Sequence, residues 1–173
     1  MTDTPEIDLL TEMLASQEIL QRETYGHSPT ELLPDNTAGA VEFITWNVLA
    51  LTDELHELLG ETSWKPWAKS EHVNLTAARS ELIDAFHFFM NLALVLGMDA
   101  DSIYAGYNRK RAKNIARQEA GYDGVTTKCP GCKRALDDDG VACEEMDADG
   151  PEGVRAFYCA EQMTIIYTGA PSA

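Results

Sequence analysis

Between residues 7 and 118, apolar residues recur at helical spacing in four separate stretches, and no strand pattern interrupts them. Four such faces joined by mostly short connections bury themselves by packing helix on helix, so an all-α bundle is expected. The first stretch, 7–25, carries Leu9, Leu10, Met13, Leu14, Ile19 and Leu20 and stops at Gly26. Residues 27–39 hold two prolines, Asn36 and Gly39, and read as a loop. A second helix is expected from about Ala40 to Leu59, ending at Gly60. After a connector over 61–73, which contains Pro66, Trp64 and Trp67, Asn74 is placed to cap a third helix reaching Leu96 before Gly97. Asp99 or Asp101 is placed to cap a fourth, from about Ser102 to Gln118, closing at Gly121.

The composition changes after Gly124. All four cysteines lie beyond residue 128, together with the acidic run Asp137-Asp138-Asp139 and two short strand-like segments, Val154–Cys159 and Met163–Thr168. The expected organisation is a helical domain over 1–124 and a small, partly β, cysteine-rich appendage over 125–173. A length of 173 residues suits that division.

A formal net charge of −16 argues against a general nucleic-acid or anionic-membrane binder, which needs a basic footprint. The opening residues lack the basic start and apolar run of a signal peptide, and Ala85–Met98, the most apolar stretch, is too short to span a bilayer. A soluble, cytoplasmic protein is expected. The charge is uneven, however: Arg109, Lys110, Arg111, Lys113 and Arg117 are five of the thirteen basic residues. Such a segment can hold a small polyanion.

Glu54 and Glu57 are three apart and share a helix face, as do Glu81 and Asp84 on the next long helix. Carboxylate oxygens are what Mg²⁺ takes, with phosphates and waters completing its shell. Taken alone, Glu54/Glu57 reads better as a solvated helix face. Glu81/Asp84 is different, because Leu82, Ile83, Ala85, Phe86, Phe88 and Phe89 leave that helix little polar face, and ionised groups are rarely buried without a partner or a metal. Lys110, Lys113, Asn114 and Arg117 likewise share a face, which could either bind phosphates or complement the helix dipole; composition leaves both open.

Glu54-x-x-Glu57 followed by Glu81-x-x-Asp84 resembles the metal-binding signature of the all-α nucleoside triphosphate pyrophosphohydrolases, which include MazG-like enzymes and dimeric dUTPases. The dUTPase branch is the nearest. Met13-Leu14-x-x-Gln17-x-x-Leu20-x-x-Glu23-Thr24-x-Gly26 resembles its first helix, and Trp64-Lys65-Pro66-Trp67 its connector. Glu81-Leu82-Ile83-Asp84-Ala85-Phe86-His87-Phe88 resembles its second metal helix, and Lys110-x-x-x-Asn114-x-x-Arg117-Gln118-x-x-Gly121-Tyr122 its closing phosphate motif. Together these cover about residues 9–124.

The resemblance implies a four- to five-helix bundle that hydrolyses a deoxynucleoside triphosphate, dUTP first, to the monophosphate and pyrophosphate. It implies Mg²⁺, with Mn²⁺ able to substitute, bound by Glu54, Glu57, Glu81 and Asp84, one of the first two also handling the attacking water. Lys110, Asn114 and Arg117 would hold phosphates with Lys69 assisting, and Gln17 would lie near the base. The working unit would be a homodimer or higher homo-oligomer. Two positions depart from the branch: Gln21 and Arg111 stand where it usually carries asparagine. Base choice rests on a few hydrogen bonds, so dCTP or a purine nucleotide is a live alternative. Trp64 and Trp67 could stack on a base or plug the end of the bundle, with one of them favoured as core; Trp46 is expected in the core or a dimer interface. His56 and His87 are poor ligands for hard Mg²⁺ and are read as hydrogen-bonded structural groups.

Outside the resemblance, Cys129-Pro130-Gly131-Cys132 suits tetrahedral thiolate binding, with Cys143 and Cys159 available to complete a structural zinc site. A redox dithiol or unrelated free thiols are the alternatives. The rival to an enzyme is a non-catalytic helical adaptor that uses this tail.

Overall fold

Asp8 opens the first helix, α1 (Leu9–Leu20), where its carboxylate accepts from the Leu10 N–H at 3.1 Å and the Thr11 hydroxyl at 2.5 Å. The computed structural model describes residues 8–33, 35–124, 127–138, 140–147 and 153–169. The helix continues through one widened π turn, Gln21–Tyr25, and stops at Gly26, whose φ of +73° is a left-handed value glycine adopts freely. Gln17, one α-helical turn before the π turn, and Gln21, its first residue, are both buried.

The segment read as a loop contains a short helix, α2 (Pro29–Leu32), with its proline in the first turn, where the missing N–H costs nothing. Next, α3 (Thr37–Gly60) begins at Thr37 rather than Ala40, because the Asn36 side chain caps the Gly39 N–H at 3.0 Å. Asn74 caps α4 (Leu75–Val95), as expected. At α5 (Ala100–Glu119), Asp99 and Ser102 cap each other reciprocally: Ser102 N–H donates to Asp99 Oδ1 at 2.8 Å and Asp99 N–H to Ser102 Oγ at 2.9 Å.

The chain packs as two compact units, Met1–Asn108 and Arg109–Ala173, with the seam inside α5. Residue 125, where the composition changes, lies outside the described residues.

In the first unit α3 and α4 pack along their length. One core cluster joins Leu14 with Met90, Ala93, Leu94 and Ala100; a second joins Ala40, Phe43 and Val95. Burial of side chains such as Met90 is what holds these helices together, and truncation to alanine there costs about 2–5 kcal/mol. No single described helix is long and apolar enough to cross a membrane.

The second unit contains a three-stranded antiparallel sheet in the order β1 (Glu144–Met146), β2 (Arg155–Cys159), β3 (Thr164–Thr168). Glu145 pairs with Phe157, and Phe157 with Ile166. Both strands expected from the sequence are present, and β1 is added at the edge.

Candidate active site

Packing α3 against α4 brings the acidic pairs together. Glu54, Glu57 and Glu81 each offer a carboxylate oxygen, and these oxygens lie within 4.8 Å of one another. Asp84 stands just outside this triad, yet its charge raises the carboxyls of both Glu54 and Glu81. Burial is the largest cause of the rise at Glu54, followed by Glu57, Asp84, Glu81 and Asp53. At Glu81 burial again leads, followed by Glu57, Asp84 and Glu61. Among the described residues, none of these acids has a basic ion-pair partner. Carboxylates gathered without a cation repel, and a divalent ion resolves that repulsion. Glu61, at the end of α3, is a contributor the sequence pattern did not flag.

The expectation that Glu81 and Asp84 sit on an almost wholly buried helix needs correcting. Leu82 and Ile83 between them are exposed, and both acids are half-buried. Both acids are therefore partly open to solvent.

Glu54 and Asp84 also line a cleft of about 910 Å³ bounded by α1, α3 and α4. Its floor is a chain of buried amides. His87 Nδ1 meets Gln17 Oε1 at 2.7 Å, Gln17 Nε2 donates to Asn91 Oδ1 at 2.7 Å, and Asn91 Nδ2 donates to Asn47 Oδ1 at 2.8 Å. The last link, Asn47 Nδ2 to the Phe43 carbonyl at 2.7 Å, fixes the direction of the whole chain. A carbonyl can only accept, so each amide must donate toward Phe43, and His87 must carry its proton on Nδ1. His87 is therefore a hydrogen-bonded histidine, as expected, while Asn47 and Asn91 were missed because their partners lie far away in sequence. Gln21 is buried beside this chain and, among the described residues, makes no side-chain hydrogen bond.

Trp46 is 66% exposed and lines the cleft, so it is not core. Neither Trp64 nor Trp67 plugs the bundle: both are exposed. The connector closes on itself, with Thr62 bridged to Val73 and the His72 N–H donating to Ser63 Oγ at 2.9 Å, which leaves the tryptophans at its outer end. Neither Trp64 nor Lys69 lines the cleft, and Lys69 is exposed.

In the second unit, the basic face of α5 meets the acidic run. Lys113 lies 2.9 Å from Asp138 Oδ1 and also donates to the Asp137 carbonyl; Lys110 is 3.4 Å from Asp138 Oδ1. Arg117 grips Asp137 and reaches Asp138 at 3.2 Å. The Asp138 carboxyl is held down to about 2, by Lys113 first and then Lys110, and Arg117 holds Asp137 below its usual range. Asn114 is exposed beside them. Asp139 of the run lies outside the described residues. The four cysteines also converge in this unit, all as free thiols.

A helical bundle whose two long helices share an acidic cluster beside a polar cleft has the architecture of the all-α nucleotide hydrolases. The dUTPase family model matches residues 9–98. The dCTP pyrophosphatase of Enterobacteria phage LZ5 is 35% identical over 144 residues, 67% of this chain and 84% of that protein. The dCTP pyrophosphatase of Enterobacteria phage T4 is 30% identical over 145 residues, 68% of this chain and 84% of its own length. No solved structure matches. The chain belongs to the all-α nucleoside triphosphate pyrophosphohydrolases of the dUTPase-like group, and it is a nucleotide pyrophosphohydrolase rather than an adaptor.

Proposed function

We propose that this chain hydrolyses a pyrimidine deoxynucleoside triphosphate, dCTP foremost, to the monophosphate and pyrophosphate. One observation carries the reading: three glutamate carboxylates converge within 4.8 Å of one another, and one of them, Glu54, also walls a cleft floored by buried amides.

An all-oxygen donor set suits Mg²⁺, and Mn²⁺ as its substitute. When bound, the metal supplies neutralisation of the phosphate chain's charge. Glu57, Glu81 and Asp84 are assigned to holding it. Glu54, half-buried and raised by burial and by its acidic neighbours, is assigned to taking the proton of the attacking water. Lys110, Asn114 and Arg117 are assigned to the phosphates; Lys110 and Arg117 must then exchange Asp137 and Asp138 for substrate.

For the base, Gln17 is engaged at both ends of its amide, which leaves Gln21 as the adaptable group. Its carbonyl can accept from the exocyclic amine of cytosine while its N–H donates to a ring acceptor. Turned over, the same amide meets uracil. The amide therefore admits both pyrimidines, and the two phage relatives, each a dCTP pyrophosphatase, favour cytosine. The dUTPase family match supports dUTP as the second reading. The working unit is assigned as a homodimer, supported by the exposed Val48, Leu49 and Leu55 on α3 and Leu82, Ile83 and Phe89 on α4.

The test is pyrophosphate release from each deoxynucleoside triphosphate in turn with Mg²⁺. Fastest turnover is expected with dCTP and the next fastest with dUTP. No release from any nucleotide overturns the reading, and preference for a purine overturns the base assignment.

A further inference from the structure

We propose that Cys129, Cys132, Cys143 and Cys159 bind one structural zinc ion, and that this ion fixes the acidic turn at Asp137–Asp138 in place. The four Sγ atoms lie within 4.8 Å of one another, with Cys132 to Cys143 at 3.6 Å and Cys143 to Cys159 at 4.0 Å. A tetrahedron with Zn–S bonds of about 2.3 Å has sulfurs about 3.8 Å apart, a value between these two distances. A disulfide needs sulfurs about 2.05 Å apart, and no two of the four form one.

The local chain is built as a knuckle. Cys129 N–H donates to the Arg134 carbonyl at 2.8 Å and Lys133 N–H to the Cys129 carbonyl at 2.9 Å, so the chain turns back tightly around the first two cysteines, with Lys133 in a left-handed conformation at φ +64°. Backbone N–H groups of Gly131 and Cys132 point at the Cys129 sulfur, and that of Arg134 at the Cys132 sulfur. Outer-shell donors of this kind orient and stabilise metal-bound thiolates. Gly131 lies close against the sheet: a Cβ there would crowd the ends of the Ile166 and Gln162 side chains and lie 3.1 Å from Cys159 Sγ. Cys143 immediately precedes β1 and Cys159 ends β2, so the sheet delivers the other two ligands.

Burial makes the same case. Cys129 and Cys159 are 0% exposed, and the second unit's core cluster is centred on Cys129, Cys143 and Cys159, with small apolar groups such as Val141 and Ile166 packed around them. Three short strands around a few thiols bury little hydrocarbon, and units of this size usually need a metal or disulfides. Between the second and third cysteines the chain passes through Asp137 and Asp138, which grip Lys113 and Arg117. A metal that closes this loop holds the acids where α5 can meet them.

The test uses the full chain purified without added metal. Elemental analysis is expected to find one zinc per chain, released as a mercurial reagent consumes four thiols. Cobalt exchanged into the site is expected to show the intense visible bands of a tetrahedral tetrathiolate complex. Hydrogen exchange after zinc removal is expected to quicken over residues 133–142 and the last turns of α5 while α3 and α4 keep their protection. Cys132→Ser, at the half-exposed ligand, is expected to lose zinc and reproduce that pattern. Iron in place of zinc, absence of metal with two disulfides, or absence of metal with four freely alkylated thiols in the native wild-type chain would each overturn the site. Unchanged exchange after zinc loss would overturn its role in fixing the acidic turn. None of these readouts depends on nucleotide turnover.

Discussion

Arg117 holds Asp137 through two guanidinium nitrogens, Nε at 2.9 Å and Nη2 at 2.5 Å, while its guanidinium carbon lies 5.6 Å from the centre of the Tyr122 ring. The same arginine is assigned to substrate phosphate, so the carboxylate is a resident competitor. Replacing both Asp137 and Asp138 by asparagine removes the competing charge and leaves the shape. With that competition removed, KM for the nucleotide should fall severalfold with kcat little changed. An unchanged or raised KM in steady-state kinetics would show that these cations do not serve the substrate. The sign of the pH dependence follows from the depressed carboxyls. Their stabilisation is complete above the ordinary aspartate value of 3.8 and is lost only as pH falls toward about 2 for Asp138. The KM ratio between variant and wild type should therefore stay flat between about pH 6 and 9.

Glu81→Gln separates chemistry from folding. In the protein without metal, Glu81 sits among Glu57, Asp84 and Glu61, whose like charges oppose it. Neutralising it should leave the melting temperature in EDTA equal or higher. Activity should drop by at least about a hundredfold, since even indirect supports of a metal ligand cost ten- to a hundredfold. Added Mg²⁺ should raise the wild-type melting temperature and leave that of the variant nearly unmoved. A variant that melts earlier in EDTA and keeps its turnover would make this acid structural.

Asn91 is 2% exposed and is the hinge of the amide chain, accepting from Gln17 and donating to Asn47. Asn91→Leu is close in volume but strands a donor on Gln17 and an acceptor on Asn47. Each stranded buried group costs about 1–3 kcal/mol, so urea unfolding should show a loss of about 2–6 kcal/mol in total. If Gln17 then turns freely, KM should rise as well. A loss below about 1 kcal/mol would mean that water replaces the missing partners.

The long helices were legible because their signals are local: period, cap and glycine stop all lie within a few residues, as at Asn74 and Gly97 on either end of α4. The acidic pairs were legible for the same reason, since the three-residue spacing within each helix leaves only the packing of α3 on α4 to be supplied. What stayed hidden depends on distant partners. Asn91 meets residues 74 and 44 positions away, and nothing near it marks either meeting. β1, Glu144-Glu145-Met146, has no alternating apolar pattern and becomes a strand by pairing with β2. The clasp on Arg117 needed the fold of the cysteine loop, which no pattern in the acidic run encodes.

The helices that carry the acids leave much hydrocarbon outside. Val41, Val48, Leu49 and Leu55 on α3 and Leu82, Ile83 and Phe89 on α4 are all exposed in the single chain. Isolated exposed apolar residues are ordinary, but this many along two adjacent helices is the pattern of a covered face. Sedimentation should therefore give a dimer at micromolar concentration. Leu49→Glu places a charge on that face without touching the cleft or the acidic cluster. On a free surface such a change shifts stability by no more than about 0.5 kcal/mol. In a buried interface it leaves an unpaired charge, so the variant should sediment as a monomer with a lower melting temperature. A wild-type chain that sediments as a monomer with Leu49 freely tolerant of glutamate would mean the face is solvated and the bundle works alone.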